Sequence, residues 1–302
     1  MGKRHLNTIH IVMNEFNNLS VLPFYGNVSE QNARKWWVYG HIYPLFCGQA
    51  LLPFQIQTDI PYQTLAANKF TIQLYNAHTD VLVKTLTNMN YYMRSANVGG
   101  YVCLLYNGDY DMGQLDAEGQ YYIKISVAVS PVRTYYSEVF TLVMDLSRYV
   151  MIEWWDTENF VMDAGTIVYD GTFKNRLYLQ ADIAKPEYLF EEENEDRDGY
   201  SFPIKQISEK KYKFNFLASE YLLDVMRFIR MADFVEITYN SRLFKPDTFL
   251  ITPEWENEGD VAKVEAEFQT DTVAKKLGRG YIDTPVVYHS FNAQAYDDSF
   301  NK

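Results

Sequence analysis

Between Asp247 and Thr270 two runs flank a turn built on Asn257, Glu258 and Gly259. In the second run Ala262, Val264, Ala266 and Phe268 fall on one side, and Val261, Lys263, Glu265 and Glu267 on the other. Alternation with period two predicts a strand that turns one face to a core and the other to water. The first run, beginning at Asp247, reads as a further strand.

The same pattern recurs upstream. Phe70, Ile72 and Leu74 alternate with Thr71, Gln73 and Tyr75, and Tyr121, Ile123, Ile125 and Val127 with Tyr122, Lys124 and Ser126. Strand candidates at 81–86, 101–106 and 135–144 lie among them, punctuated by Gly99-Gly100 and Asn107-Gly108. Short strands without intervening helical patterns predict an N-terminal, immunoglobulin-like β-sandwich over residues 53–146.

A second block, residues 147–270, reads as an α+β domain with one clear helix. Tyr149–Trp155, Asn175–Leu179, Tyr212–Phe216 and Phe234–Tyr239 are its strand candidates. The helix is predicted from Ser219 to Asp233: Ser219 is the N-cap, Glu220 suits the first turn, and Leu222, Val225, Met226 and Ile229 form the apolar stripe. Glu187–Asp198, with seven acids against one base, reads as a solvated acidic loop. The fold class is therefore mainly β. Residues 1–52 form an aromatic-rich arm and residues 271–302 a C-terminal tail.

The arm carries Phe24, Tyr25, Trp36, Trp37, Tyr39 and Tyr43 within a short distance. Such rings either pack across the next domain or dock on a neighbouring subunit, and they are the interface candidates.

Composition adds exclusions. With 27 Lys and Arg against 39 Asp and Glu, the formal charge of -12 gives no basic footprint for gripping nucleic acid. Two cysteines, Cys47 and Cys103, make no disulfide framework, and no Trp lies between them as an immunoglobulin bridge would want. The expected setting is a reducing cytoplasm. The basic start has an apolar stretch too short for a signal peptide, and no run approaches the length of a membrane span.

Candidate chemistry is thin. Asn194, Asp196 and Asp198 followed by Gly199 resemble the first half of a calcium loop, but the twelfth position, counted from Asn194, is Lys205 where a bidentate Glu is needed. His5, His10, His41, His78 and His289 show no metal-binding spacing. No nucleophile elbow or phosphate-binding glycine loop occurs. Glu265 with Glu267, and Glu153 with Asp156, are acid pairs of the kind a glycosidase uses, but an acidic chain produces such pairs by chance. Trp36, Trp37, Trp154 and Trp155 could instead form a carbohydrate platform. No catalytic residue, cofactor or metal is expected.

The strings KPEYLFEEENEDRDG (185–199), FPIKQISEKKYKF, ASEYLLDVMRFIRMADFVEI and FLITPEWENEGDVAKVEAEFQTDTVAKKLG, with YYSEVFTLVMDL (135–146), together resemble virion structural proteins of Bacteroidetes phages and prophages, crAss-like phages included. The resemblance covers roughly residues 50 to 278 and carries no catalytic signature. It implies a non-enzymatic tail, baseplate or neck component, assembled in the host bacterial cytoplasm into the virion. Its partners would be other virion proteins and further copies of itself in a ring, with no membrane and no specific nucleic-acid binding. The alternative is a carbohydrate-binding module at a tail tip or cell surface.

Overall fold

A computed structural model describes residues 20–26, 45–61, 70–87, 91–95, 101–108, 110–115, 118–162, 165–169, 173–197, 199–255 and 261–276. Strands dominate. The first are β1 (Phe24–Tyr25), β2 (Leu45–Cys47), β3 (Phe54–Pro61), β4 (Phe70–Asn76), β5 (Leu82–Thr85), β6 (Tyr91–Ser95) and β7 (Tyr101–Tyr106). Next come β8 (Gly119–Val127), β9 (Arg133–Ser137), β10 (Phe140–Leu142), β11 (Tyr149–Trp155), β12 (Phe160–Met162), β13 (Gly165–Ile167) and β14 (Asn175–Gln180). β15 (Glu187–Arg197) and β16 (Tyr200–Ser219) lead into the helix α1 (Glu220–Met226). β17 (Phe234–Tyr239), β18 (Arg242–Phe244), β19 (Thr248–Trp255) and β20 (Val261–Lys276) complete the set.

By their contacts the residues divide into two units: 1–189 with 209–272, and 190–208 with 273–302. In the larger unit an 11-stranded sheet runs in the order β1-β9-β8-β10-β2-β14-β11-β17-β18, with β4 paired to β8 and β5 to β4. The alternation read from the sequence explains its centre. β4 and β8 pair antiparallel from Phe70↔Val127 to Asn76↔Tyr121, so Phe70, Ile72 and Leu74 share a buried face with Ile123, Ile125 and Val127. Tyr122, on the other side, is buried too, in a small cluster with Ala77 and Val139.

The run 135–144 is interrupted. Glu138 and Val139 separate β9 from β10, and Ser137 Oγ accepts a hydrogen bond from Ile123 N at 2.8 Å. This break lets β8 pair with β9 over Lys124–Val127 and with β10 over Gly119–Tyr121. Strand β2 lies parallel to β10 and antiparallel to β14, so a segment from the predicted arm joins strands of the two predicted blocks. Its thiol, Cys47, is fully buried and makes no disulfide.

The helix begins where its cap predicts: Ser219 Oγ accepts from Leu222 N at 3.4 Å. It is shorter than predicted. After Met226 the hydrogen bonds tighten to i−3, as in Phe228 N to Val225 O and Ala232 N to Ile229 O, and Ile229–Met231 is a 3₁₀ turn. Leu222, Val225, Met226 and Ile229 are nonetheless all buried.

A separate sheet has the order β15-β16-β20-β19. Ala262, Val264, Ala266 and Phe268 are each at most 1% exposed, as the alternation predicts. Tyr212, Phe214 and Phe216 of β16 and Phe249 of β19 are also buried, and Tyr212 stacks on Phe268 at 5.1 Å. Burial of a ring such as Phe268 contributes about 1.5–3 kcal/mol. β20 continues past Thr270 to Lys276, so the first residues of the predicted tail are strand.

Candidate interaction surface

The acidic stretch is a strand, not the predicted loop. Glu187–Arg197 forms β15 beside β16, and the reversal between them passes through Gly199 at φ +79°, which suits a residue without a Cβ. Glutamate and aspartate are poor strand formers, and here they occupy an edge. Glu191, Glu192, Glu193, Asn194 and Asp196 are all exposed, so both faces of the strand meet water. Charge on an exposed edge discourages indiscriminate pairing.

The strand also places two of the three residues that resemble a calcium loop. Asn194 and Asp196 are alternate residues of an extended strand, spaced by about 6.5 Å along it, instead of curling around an ion. Asp198 lies outside the described residues. Among the described residues no group of three His, Cys, Asp or Glu could hold a metal ion.

The polar face of the same sheet is laced by cross-strand ion pairs. Lys211 Nζ lies 2.6 Å from Glu267 Oε2, and Lys213 Nζ 3.2 Å from Glu265 Oε1. Lys210 meets Asp271 at 3.0 Å. The hydrogen bond and charge of Glu265 raise the Lys213 pKa, and those of Asp271 raise that of Lys210. Glu265 and Glu267, considered above as an acid pair, are thus each matched to lysine across the ladder.

The second acid pair is also engaged. Glu153 Oε1 accepts from Arg176 Nε at 2.8 Å, and the same guanidinium donates to Gly108 O at 3.1 Å. Asp156 Oδ1 accepts from Asp233 N at 2.7 Å, while Asp233 Oδ2 accepts from Thr157 N and Oγ1 at 3.1 and 2.8 Å. Burial raises the Asp156 pKa, and the Asp233 charge adds to this. The neighbouring Tyr169 phenol is pushed up by burial and by Asp156, and it accepts from Asn175 Nδ2 at 3.0 Å. These contacts wire the end of β11 to the start of β17.

The aromatic candidates divide sharply. Phe24 and Tyr25 are 1% and 4% exposed: Phe24 packs on Phe54 at 4.8 Å, and β1 pairs with β9. Their rings fill the core of their own chain. Trp36, Trp37, Tyr39 and Tyr43 lie outside the described residues. Trp154 is 1% exposed and offers no surface for a sugar. Trp155 stands between Phe234, stacked at 5.2 Å, and the Lys174 ammonium, 3.7 Å from its centroid. The register puts these on opposite flanks, since β14 and β17 pair with opposite edges of β11. Both faces of the Trp155 ring are therefore covered.

Of the histidines, His78 sits in the β4–β5 turn, its backbone N–H donating to Asn76 Oδ1 at 3.0 Å; the other four lie outside the described residues. Sequence reasoning missed two long-range ties that carry no local signal. Buried Gln55 exchanges hydrogen bonds with Val168 at 2.9 and 3.3 Å, and Tyr221 OH donates to the carbonyls of Ser20 and Val21.

No protein-family model matches the chain, and no curated protein matches it significantly.

Proposed function

We propose that the chain is a non-enzymatic structural subunit of a phage virion, repeated in the tail, baseplate or neck and assembled in the host bacterial cytoplasm. On this reading residues 53–146 act as an immunoglobulin-like module and residues 147–270 as an α+β module, and the work of the protein is contact with copies of itself and other virion proteins.

The observation that carries the reading is the β15 edge. It is an 11-residue strand at the end of its sheet, acidic and exposed on both faces. A strand edge of this length is a ready template for assembly. The engagement of Glu153, Glu265 and Glu267 by cations supports a structural use of the acids over a catalytic one. The carbohydrate alternative now rests on Trp36 and Trp37.

Particles purified from a culture that carries the gene test the reading. Quantitative mass spectrometry should find the chain in a fixed, multiple-copy ratio to the major capsid protein. Its absence from purified particles would retire the reading. Saturable binding on a glycan array, lost on Trp36→Ala, would replace it with the carbohydrate alternative.

A further inference from the structure

We propose that one water molecule is held inside the larger unit, accepting a hydrogen bond from Trp154 Nε1 and donating one to Asn175 Oδ1. The inference is independent of the virion reading and concerns the buried face of β11 and β14.

Trp154 and Asn175 stand directly opposite each other in the antiparallel β11–β14 ladder. Cross-strand neighbours of this kind share a face, with Cβ atoms about 5 Å apart. Each residue is 1% exposed. The indole Nε1 can only donate a hydrogen bond, and the amide oxygen can only accept one. Neither atom has a partner among the described residues. Ile152 and Leu177, the next ladder pair on that face, offer no polar side-chain atom, and neither does Val235, opposite Trp154 on β17.

The orientation of the Asn175 amide is fixed by its other end. Tyr169 donates its phenolic hydrogen to the Asp156 carboxylate, so it meets Asn175 as an acceptor. Asn175 therefore turns Nδ2 toward Tyr169, at 3.0 Å, and leaves Oδ1 for another donor. A flipped amide would set oxygen against oxygen.

These atoms define the ligand. A buried donor and a buried acceptor are each costly to leave unpaired, and proteins satisfy nearly all such groups. A cation would face the indole N–H and an anion the amide oxygen, so neither meets both needs. Water accepts and donates at once, and it is small enough for a packed interior. Hydrogen bonds then run unbroken, donor to acceptor, from Trp154 through water, Asn175 and Tyr169 to Asp156. The chain ties the core face of β11 to the polar contacts at its end.

The test uses full-length protein labelled with nitrogen-15 at tryptophan. Trp154→Phe identifies the Trp154 indole signal; should that variant not fold, single replacements of Trp36, Trp37, Trp155 and Trp255 identify it by elimination. The Trp154 Nε1 proton should show a rotating-frame NOE to water, opposite in sign to an exchange peak. Asn175→Leu, close in shape but without the acceptor, should lose that cross-peak. A cross-peak that persists in this variant marks a relay through the Tyr169 hydroxyl or water held elsewhere, and overturns the inference. A parent chain with no cross-peak overturns it too. Should Asn175→Leu not fold, a crystal structure of the parent chain decides. Water within hydrogen-bond distance of both atoms supports the inference, and a direct bond from Trp154 Nε1 to Asn175 Oδ1 overturns it.

Discussion

Tyr25 donates its phenolic hydrogen to Glu138 Oε2 at 2.9 Å, joining side chains 113 positions apart. Both are buried, at 4% and 7% exposure, and the other carboxylate oxygen accepts from Val139 N at 3.2 Å. The bond pins β1 at the point where β9 gives way to β10. Tyr25→Phe should lower the unfolding free energy by about 2 kcal/mol at neutral pH, because a buried acceptor loses a donor. Deleting residues 1–25 also removes Val21, Leu22 and Phe24 from the core, and should leave no cooperative urea transition. A truncated chain as stable as the parent would show that β1 is dispensable.

Met226 and Arg227 are neighbours with opposite fates. Met226 is 1% exposed on the apolar stripe of α1, whereas Arg227 is exposed. Met226→Asp places an unpaired charge in the core and should cost several kcal/mol, on the order of 4. Arg227→Asp should cost less than about 1 kcal/mol. Chemical denaturation of both variants checks the pair, and equal costs would contradict the helix orientation.

The same helix shows where sequence periodicity runs out. Its cap and stripe were legible because Ser219 and the spacing of Leu222, Val225 and Met226 are local signals. Its end was not: Ile229 stays buried in a 3₁₀ turn, and one further buried residue cannot separate a period of 3.6 from 3.0. β20 was legible because one face is wholly buried and the other charged. β15 was hidden for the opposite reason, since a strand wet on both faces shows no alternation. β1 and β2 are too short to carry a pattern, and only their distant partners β9, β10 and β14 make them strands. For the tryptophans, alternation along Tyr149–Trp155 implies that Trp154 and Trp155 face opposite ways. Which one faces the core depends on the sheet.

Cys47 is fully buried in β2, and burial pushes its thiol pKa up to about 12. The thiolate is the reactive form, so the side chain should be inert in the native protein. In a Cys103→Ser background, Ellman's reagent at pH 8 should label Cys47 only on the timescale of unfolding, and promptly in denaturant. Prompt labelling of the folded chain would mean that β2 opens locally.

Asp156 and Asp233 should give stability opposite pH dependences. Asp233 is held below its ordinary value of 3.8, chiefly by the Thr157 N–H and hydroxyl. Its contribution is present above the unfolded pKa and is lost as pH falls through the lower folded value. Asp156 is shifted the other way by burial and by the Asp233 charge. Its folded state keeps the proton longer, so its contribution is most favourable below 3.8 and declines as pH rises through the higher folded value. Asp156→Asn removes that penalty and keeps an amide oxygen for Asp233 N. Measured by urea midpoint from about pH 3 to 7, Asp156→Asn should gain on the parent as pH rises, while Asp233→Asn should fall behind. Slopes of the same sign for the two variants would overturn the assignment of the raised carboxyl to Asp156.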